Sequence, residues 1–175
     1  MTADVQSSPD LTADGHGEEF RAAMKRFASG VTIVTTADTD GDWKGFTASA
    51  FCSLSIEPPL ILVCQARTSS SHDAFMRCDR FLVNILGRQH QEVALRFARS
   101  GGDKFREGGF EPSRSHGLPV LSDALAVVGC EVHDRHDGGD HVILIGSVYS
   151  CRVQDGSPML HFDSRFHAIA DPGGN

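Results

Sequence analysis

Alternating and continuous apolar runs recur along the first half of the chain and predict β-strands. The β-branched run VTIVTTA (31–37) is followed by a turn that contains Asp40-Gly41 and by a second run from Trp43 to Ala50. Two strand-like runs joined by an Asp-Gly turn are typical of a β-hairpin. LILVC (60–64) and FLVNIL (81–86) are shorter apolar runs of the kind that forms buried strands.

The second half of the chain is almost entirely strand-like. ALAVVGCEVHDR (124–135) and HVILIGSVYSCRV (141–153) flank Gly138-Gly139 and predict another hairpin. PMLHF (158–162) and RFHAI (165–169) predict two short final strands.

Three segments show helical periodicity. The first runs from about Glu18 to Ala28, and Gly30 follows it as a candidate left-handed C-terminal cap. Its apolar positions fall at helical spacing: Phe20, Ala23, Met24, Phe27 and Ala28. Residues 69–78 and 89–100 predict two further short helices.

Antiparallel hairpins with a few short helices indicate a mainly β (α+β) domain with a barrel-like sheet. A doubly wound parallel sheet would require regular alternation of strands and helices, and the second half lacks it. Residues 1–16 are small, polar and acidic and predict a disordered tail. One domain is therefore expected over 17–170, followed by a flexible end at 171–175.

Composition agrees with one globular domain, because 175 residues with 40% hydrophobic and 22% charged residues are ordinary values. The formal charge of −7 argues against a nucleic-acid partner. Residues 1–19 hold five acidic and no basic residues, which leaves −2 for the rest of the chain. Residues 65–114 carry nine of the sixteen basic residues against six acidic ones, so a small anionic ligand is one interpretation and a solvated mixed surface is the other.

The five cysteines are odd in number and match no zinc-binding spacing, so they predict small buried residues in a reducing compartment. No secretory leader opens the sequence and no apolar run reaches the roughly 20 residues that span a bilayer. We therefore expect a cytoplasmic protein with no membrane partner.

GFTASAFCSLSIEPP (45–59) is rich in Gly, Ala, Ser and Thr and lies between two predicted strands. Small residues let backbone amides approach a flat or anionic ligand, and Thr47, Ser49 and Ser53 have hydroxyls that can form directed hydrogen bonds. A tightly packed strand that needs small neighbours explains the composition equally well.

ARTSSSHD (66–73) places three serines and an arginine before a predicted helix. Ser70 as N-cap with Asp73 three residues later resembles a capping box, which is a complete structural explanation. The free N–H groups of a helix start and the Arg67 guanidinium would also suit a phosphate. Both interpretations stand together.

Histidines and acids between 133 and 141 suggest a metal site formed by His133, His136 and His141. Side chains three residues apart on a strand point to opposite faces, which disfavours it. His141 alone, after a Gly-Gly turn, is either an ordinary turn histidine or a donor to a ligand carbonyl. No Walker A, GxGxxG or GxSxG motif is present, so any dinucleotide would be bound without a Rossmann fold.

These segments together resemble the short-chain flavin reductase family, the reductase components of two-component flavin-dependent monooxygenases. The resemblance runs from about Phe20 to Ile169. It is carried by seven ordered motifs: FRAAMKRFASGVTIVTT (20–36), GFTASAFCSLSIEPPLILVC (45–64), RTSSSH (67–72), FLVNIL (81–86), DKF (103–105), GGDHVILIGSV (138–148) and SRFHAI (164–169).

The resemblance implies a homodimeric, antiparallel split β-barrel of Greek-key type that binds FMN or FAD and reduces it with NADH or NADPH, NADH being favoured. It further implies that free reduced flavin diffuses to a partner monooxygenase. The alternatives are a non-catalytic flavin-binding protein on the same fold and a metal-dependent module built on the three histidines.

Carried over by residue, the resemblance implies a flavin site and a nicotinamide site. The flavin site would comprise Thr47, Ala48, Ser49, Ala50, Ser53, Cys64, Gln65, Ala66, Arg67, Ser69, Ser70, Ser71, Lys104 and Phe105. The three serines and Lys104 would hold the phosphate, and backbone groups of 64–66 would follow the ring edge. His141 would meet the nicotinamide and Phe166 would cover it, with Ser29 and Arg26 beside them. The family often has Tyr where Phe166 stands, so a phenol hydrogen bond is not expected here, and no catalytic side chain or metal is implied.

Overall fold

The computed structural model describes residues 17–169, which form three α-helices, twelve strands and one 3-10 turn. The helices are α1 (Gly17–Met24), α2 (His72–Arg77) and α3 (Gln91–Ala98), and the 3-10 turn is Arg88–His90. The strands are β1 (Ser29–Gly30), β2 (Thr32–Ala37), β3 (Trp43–Ala48), β4 (Phe51–Ser55), β5 (Leu60–Ala66), β6 (Arg80–Ile85), β7 (Phe110–Pro112), β8 (Pro119–Leu121), β9 (Ala126–Gly138), β10 (His141–Val153), β11 (Met159–Phe162) and β12 (Arg165–Ala168).

Seven strands form one antiparallel sheet in the order β3-β2-β6-β9-β10-β5-β4. β3 and β4 are the two edge strands of this sheet, yet they are consecutive in the chain and are connected only by Ser49 and Ala50. Two linking residues span only on the order of 10 Å, so the two edges of the sheet must meet. The sheet therefore closes on itself, and the predicted antiparallel barrel with a few short helices is confirmed.

Two apolar clusters lie on the two faces of this sheet. Ile33 and Val34 are consecutive in β2 and fully buried, and they enter different clusters because successive side chains of a strand face opposite ways. Ile33 packs in the cluster that contains Phe97 of α3, and Val34 packs with Phe46 and Phe75. The α3 helix is thereby fixed against the outside of the barrel.

Both predicted hairpins are confirmed. β2 pairs antiparallel with β3, and Gly41 in their turn has a φ of +86°. β9 pairs antiparallel with β10, and Gly139 in their turn has a φ of +68°. Glycine adopts this left-handed region without the steric cost of a Cβ atom.

The first helix is shorter than predicted. It ends at Met24 rather than Ala28, because Arg26 and Phe27 donate to carbonyls three residues back and tighten the chain. The predicted cap at Gly30 is wrong, since Gly30 forms β1 and pairs with Leu160. The helix buries none of its residues, and Phe20 and Met24 remain exposed.

Three further differences concern short elements. β4 was not predicted as a separate strand, because FCSLS is a short run that mixes apolar residues with serines. Its residues stay mostly exposed. The strands β7 and β8 pair only with each other and are too short to show periodicity. None of the described helices is long and apolar enough to cross a membrane.

Candidate functional site

A cleft of about 240 Å³ opens where the two edges of the sheet meet. Its walls come from the β3–β4 link, the end of β5 with the loop before α2, and the end of α3 with the loop after it. The lining residues are Phe46, Thr47, Ala48, Ser49, Ala50, Cys64, Ala66, Thr68, Ser69, Ser70, Phe97, Ala98, Arg99, Ser100, Lys104 and His141.

Small residues of the β3–β4 link form one wall of the cleft. The Ala50 carbonyl accepts a hydrogen bond from the Cys64 N–H at 3.0 Å, which fixes the link against β5. The Thr47 hydroxyl donates to the Ala94 carbonyl of α3 at 2.7 Å. That hydroxyl therefore anchors α3, and its proton is not free for a ligand as the sequence suggested. Burial raises the pKa of the Cys64 thiol, so it lines this wall as a neutral group.

Lys104 is a buried cation without a carboxylate partner among the described residues. Its ammonium group donates to the carbonyl oxygens of Phe97 at 3.0 Å and Gly45 at 3.3 Å. Burial lowers the pKa of this ammonium group, because a charge in a low-dielectric site is poorly solvated. Two carbonyls do not neutralise the charge, so an anion in the cleft would be strongly favoured.

The described lining of the cleft is positively charged. It includes Lys104 and Arg99 and contains no aspartate or glutamate. In a chain with a formal charge of −7, this concentration of one sign is selective for anions.

The serine run lies at the cleft, but it does not cap α2 as predicted. The N-cap is Ser71 rather than Ser70, and it makes no side-chain capping bond. The Ser70 hydroxyl instead accepts from the Gly101 N–H at 3.4 Å, and the Ser69 and Ser71 hydroxyls lie 2.9 Å apart. The Ser69 and Ser70 hydroxyls at the lining accept from the backbone N–H groups of Ser71 and Gly101, which leaves their protons available to a ligand.

His141 lies at the rim of the cleft at the first position of β10, opposite Ala66. Its Nδ1 atom is 2.7 Å from a carboxylate oxygen of Asp140, and this contact lowers the pKa of that carboxyl. Holding Nδ1 in this way orients the ring.

Five residues predicted for the flavin site are not part of the cleft lining: Ser53, Gln65, Arg67, Ser71 and Phe105. The Arg67 guanidinium pairs with Asp137 and donates to the Gly139 carbonyl. Ser53 is exposed on β4, outside the lining. Gln65 and Ser71 are buried, and they contact each other.

Phe105 belongs to an aromatic cluster beside the cleft rather than to its lining. Its ring meets Trp43 at 5.5 Å and Phe97 at 4.9 Å in edge-to-face contacts. It supports the position of its neighbour Lys104 through packing.

Three of the four residues predicted for the nicotinamide side do not line this cleft. Ser29 is in β1 and Phe166 is in β12, both in the three-stranded sheet β1-β11-β12, and Arg26 lies between α1 and β1. Phe166 packs against His161 at a ring distance of 5.9 Å. The structure brings His141 to the lining but none of these three.

Six lining residues were missed by the sequence analysis: Phe46, Thr68, Phe97, Ala98, Arg99 and Ser100. Four of them, at 97–100, reach the cleft because α3 docks on the barrel. A contact between distant segments leaves no local sequence motif. The one relevant signal in the sequence was the excess of basic residues over 65–114, which includes Arg99 and suggested an anionic ligand.

The histidine cluster considered for a metal is dispersed. His136 contacts the Asp134 carboxylate at 3.1 Å, whereas His141 contacts Asp140. Among residues 17–169, no group of three or more histidine, cysteine, aspartate or glutamate side chains is arranged to hold a metal ion. The metal-dependent alternative therefore has no support in the described geometry.

A larger cleft of about 480 Å³ lies near β2 and α2, but its basic side chains are already paired with carboxylates. Lys44 contacts the Asp38 carboxylate at 3.1 Å and Arg80 contacts Glu131 at 2.7 Å. Paired charges attract an anion less than the uncompensated Lys104 does. The smaller cleft is therefore the better candidate.

Comparison with known families gives one match over most of the chain. Residues 24–170 match the family model described as a flavin reductase like domain.

Three characterised relatives are similar over most of their length. The actinorhodin polyketide dimerase of Streptomyces coelicolor is 46% identical, over 89% of this chain and 88% of the relative. The NADH:riboflavin 5′-phosphate oxidoreductase of Streptomyces pristinaespiralis is 40% identical, over 86% of each chain. The flavin-dependent monooxygenase reductase subunit HsaB of Rhodococcus jostii is 38% identical, over 86% of this chain and 76% of the relative.

A solved structure shares the fold. The NADH:FAD oxidoreductase SgcE6 of Streptomyces globisporus, in complex with NAD and FAD fragments, superimposes with a TM-score of 0.86 and 28% identity. The match covers 94% of this chain and 99% of that chain.

Proposed function

We propose that this chain, which belongs to the family of flavin reductase like domains, is an NADH-dependent flavin reductase that supplies free reduced flavin to a partner monooxygenase. The relatives named as oxidoreductases and as a monooxygenase reductase subunit support this activity. They favour it over a non-catalytic flavin-binding role on the same fold.

The observation that carries the proposal is the uncompensated positive charge of Lys104 in a cleft without acidic residues. FMN and FAD each carry a phosphate on the ribityl chain, and this phosphate would complete the partners of the buried ammonium group. Arg99 and the hydroxyls of Ser69 and Ser70 lie in the same lining. The residues present therefore fit a flavin phosphate.

The chain's own role is to bind and orient, because the bound flavin and nicotinamide supply the hydride chemistry between them. The small residues Ala48, Ser49 and Ala50 leave room for a flat ring against backbone groups. Orientation and proximity alone supply a large part of such a rate enhancement, so no nucleophile or acid–base pair is required.

His141 is our proposal for the residue that orients the nicotinamide. Its Nδ1 faces Asp140, so Nε2 is the ring atom left for a carboxamide at the rim. Ser29, Arg26 and Phe166 stay predictions for the same side, since they lie on or before the three-stranded sheet.

For the cofactors, we propose NADH with either FMN or FAD. Both flavins share the phosphate that Lys104 would bind, whereas riboflavin lacks it. We therefore expect riboflavin to bind more weakly than either.

We further propose a homodimer. Helix α1 and the residues after it expose apolar side chains, with Phe20 64% exposed, Met24 54% and Phe27 72%. Adjacent exposed apolar side chains of this size usually mark a protein interface. The five cysteines are all free, which agrees with the proposed location in the reducing cytoplasm. Only Cys130 is buried, whereas Cys52 and Cys151 are exposed, so the prediction that the cysteines are buried residues is wrong for most of them.

The proposal is tested by mixing the purified protein with NADH and, separately, FMN, FAD or riboflavin, and by following NADH oxidation. Catalytic oxidation that requires added flavin supports a reductase. A protein that binds flavin tightly but does not oxidise NADH would instead be the non-catalytic alternative.

A further inference from the structure

Gln65 occupies a position in β5 that packing alone does not explain. Its neighbours Cys64 and Ala66 line the cleft, whereas Gln65 is fully buried on the opposite face, where Ile61 and Val63 join the apolar core. Its carbonyl oxygen Oε1 has no hydrogen-bond partner there. Burying an unpaired polar atom costs stability, so an apolar side chain would suit this position better if packing were its only role.

The amide group of Gln65 begins a chain of hydrogen bonds that leads to the cleft. Its Nε2 donates to the Ser71 hydroxyl at 3.1 Å, and the Ser71 hydroxyl lies 2.9 Å from that of Ser69. Ser71 is itself buried, whereas Ser69 lines the cleft.

The direction of these bonds follows from the number of protons. An amide nitrogen can only donate, so the Ser71 oxygen accepts from Gln65. Because Ser71 is buried, its own proton needs an acceptor, and the acceptor within reach is the Ser69 oxygen. The Ser69 oxygen then accepts from the Ser71 hydroxyl and also, at 3.4 Å, from the Ser71 backbone N–H. With both lone pairs engaged, the Ser69 hydroxyl has only its proton left to offer.

We propose that Gln65 is a positioning residue that forces the Ser69 hydroxyl to act as a donor into the cleft, and so selects an acceptor-only ligand group, the flavin phosphate. The inference rests on the proposed function, because it takes the ligand to be FMN or FAD. Gln65 itself does not touch the ligand. It acts through Ser71 and Ser69.

Two substitutions at Gln65 separate this role from packing. Gln65→Met keeps the length of the side chain and removes the donor. Gln65→Glu keeps the shape. At a pH above the carboxyl pKa, which burial at this position raises, its carboxylate accepts from Ser71, reverses the chain and turns the lone pairs of Ser69 toward the ligand. Fluorescence titration of each variant with FMN and with riboflavin gives the two dissociation constants.

We expect both variants to raise the dissociation constant for FMN by about tenfold or more, which is the scale of one hydrogen bond to a charged group. The constant for riboflavin should change by less than about twofold, because riboflavin has no phosphate. A merely structural role for Gln65 would weaken both ligands equally, and that result would overturn the proposal. Unchanged FMN binding in Gln65→Met would overturn it as well.

A double-mutant cycle tests whether the effect passes through Ser69. Ser69→Ala should itself weaken FMN binding, and adding Gln65→Met to it should cause no further loss, since the hydroxyl that Gln65 controls is already gone. Additive losses would contradict the proposed chain. Thermal unfolding of each variant checks that it is folded.

Failure of this inference is distinguishable from failure of the proposed function. If the wild-type protein does not oxidise NADH with flavin, the proposed function is wrong. If it does so and prefers FMN to riboflavin, but the Gln65 variants keep that preference, only the role of Gln65 is wrong.

Discussion

Lys104 is the residue on which recognition of an anionic flavin depends most directly. It is 8% exposed, and two of its three ammonium protons are given to the carbonyls of Gly45 and Phe97. A buried cation held only by neutral dipoles is poorly stabilised in the free protein. Its unfavourable environment becomes favourable when a phosphate binds.

Replacing this charge should therefore weaken phosphate-bearing flavins selectively. We expect Lys104→Met to raise the dissociation constant for FMN by roughly 10- to 100-fold, the scale of a charge-assisted hydrogen bond in a partly buried site. Riboflavin titrated against the same variant is the control and should bind as it does to the wild type. Equal losses for both ligands would show that Lys104 supports the fold rather than the phosphate.

The lowered pKa of Lys104 gives a dependence on pH. Burial lowers the pKa of Lys104 below 10.5, the value of an ordinary lysine. As the pH rises, Lys104 therefore loses its charge below pH 10.5, and its affinity for FMN should fall there. In the unfolded chain this lysine keeps its proton to a higher pH than in the folded protein. The free energy of unfolding of the flavin-free protein should therefore increase as the pH rises through this range. Titrations from pH 7 to pH 10 check the loss, and riboflavin corrects for titration of the shared ring. An FMN-to-riboflavin affinity ratio that is constant over this range would contradict the assignment.

His141 should affect the nicotinamide rather than the flavin. We expect His141→Ala to raise the KM for NADH or lower kcat by about tenfold, with little change in the dissociation constant for FMN, because it removes a hydrogen bond at the rim. His136→Ala is the matched control, since His136 is an exposed histidine of the adjacent strand that does not line the cleft. Equal kinetic constants for the two variants would remove His141 from the site.

The family resemblance predicted the identity of many lining residues, but neither it nor the sequence patterns predicted the use of their side chains. The Thr47 hydroxyl, expected to meet the ligand, is bonded to Ala94 in α3. Strand alternation does place the Gln65 side chain on the face of β5 opposite to that of Cys64. Its contact with Ser71, however, depends on the shape of the turn after β5, which residue spacing does not reveal.

At the scale of elements, α3 builds one wall of the cleft and is held there by Phe97. That side chain is 1% exposed and packs against Phe105 at 4.9 Å and Phe110 at 5.1 Å. Its backbone carbonyl also accepts from Lys104. The packing of this helix and the position of the buried cation are therefore coupled.

Removing this anchor should cost both stability and affinity. Phe97→Ala should lower the free energy of unfolding by about 3–5 kcal/mol, the usual cost of deleting a buried phenylalanine, and weaken FMN binding in the folded protein. Leu95→Ala on the same helix is the control, because Leu95 is 43% exposed and should cost far less. Urea unfolding measures both variants, and equal losses would contradict the anchoring role.

Long, regular elements were predicted well, because β2, β3, β9 and β10 combine apolar runs with glycine turns. The end of α1 was not, because the apolar spacing continues to Ala28, whereas the helix ends at Met24 and the chain then turns toward β1. The spacing indicated an apolar face correctly, and that face is unpaired within the described chain.

For the molecule as a whole, closure of the sheet decides where the site lies. The two-residue link at 49–50 joins opposite sheet edges, and the cleft lies beside it. The order of strands in a sheet is set by long-range pairing, which local sequence patterns do not reveal. The sequence therefore predicted a barrel-like sheet, but not that its two edges meet at residues 49–50. The family resemblance, by contrast, covered nearly the whole domain.

The proposed dimer is a prediction at this scale. The wild-type protein should sediment as a dimer, and Phe27→Lys, which places a charge on a side chain that is 72% exposed in the single chain, should shift it toward the monomer. Analytical ultracentrifugation over a range of concentrations measures this. A wild-type monomer at every concentration would contradict the dimer and leave the apolar residues unexplained.

The most direct test of the central claim is the rate of NADH oxidation by the wild-type protein with FMN, FAD or riboflavin, without a monooxygenase. The account predicts turnover that requires added flavin, with a lower KM for FMN and FAD than for riboflavin because only the first two carry the phosphate that Lys104 binds. Absence of NADH oxidation with all three flavins would contradict the proposed activity, and equal KM values would contradict the phosphate site.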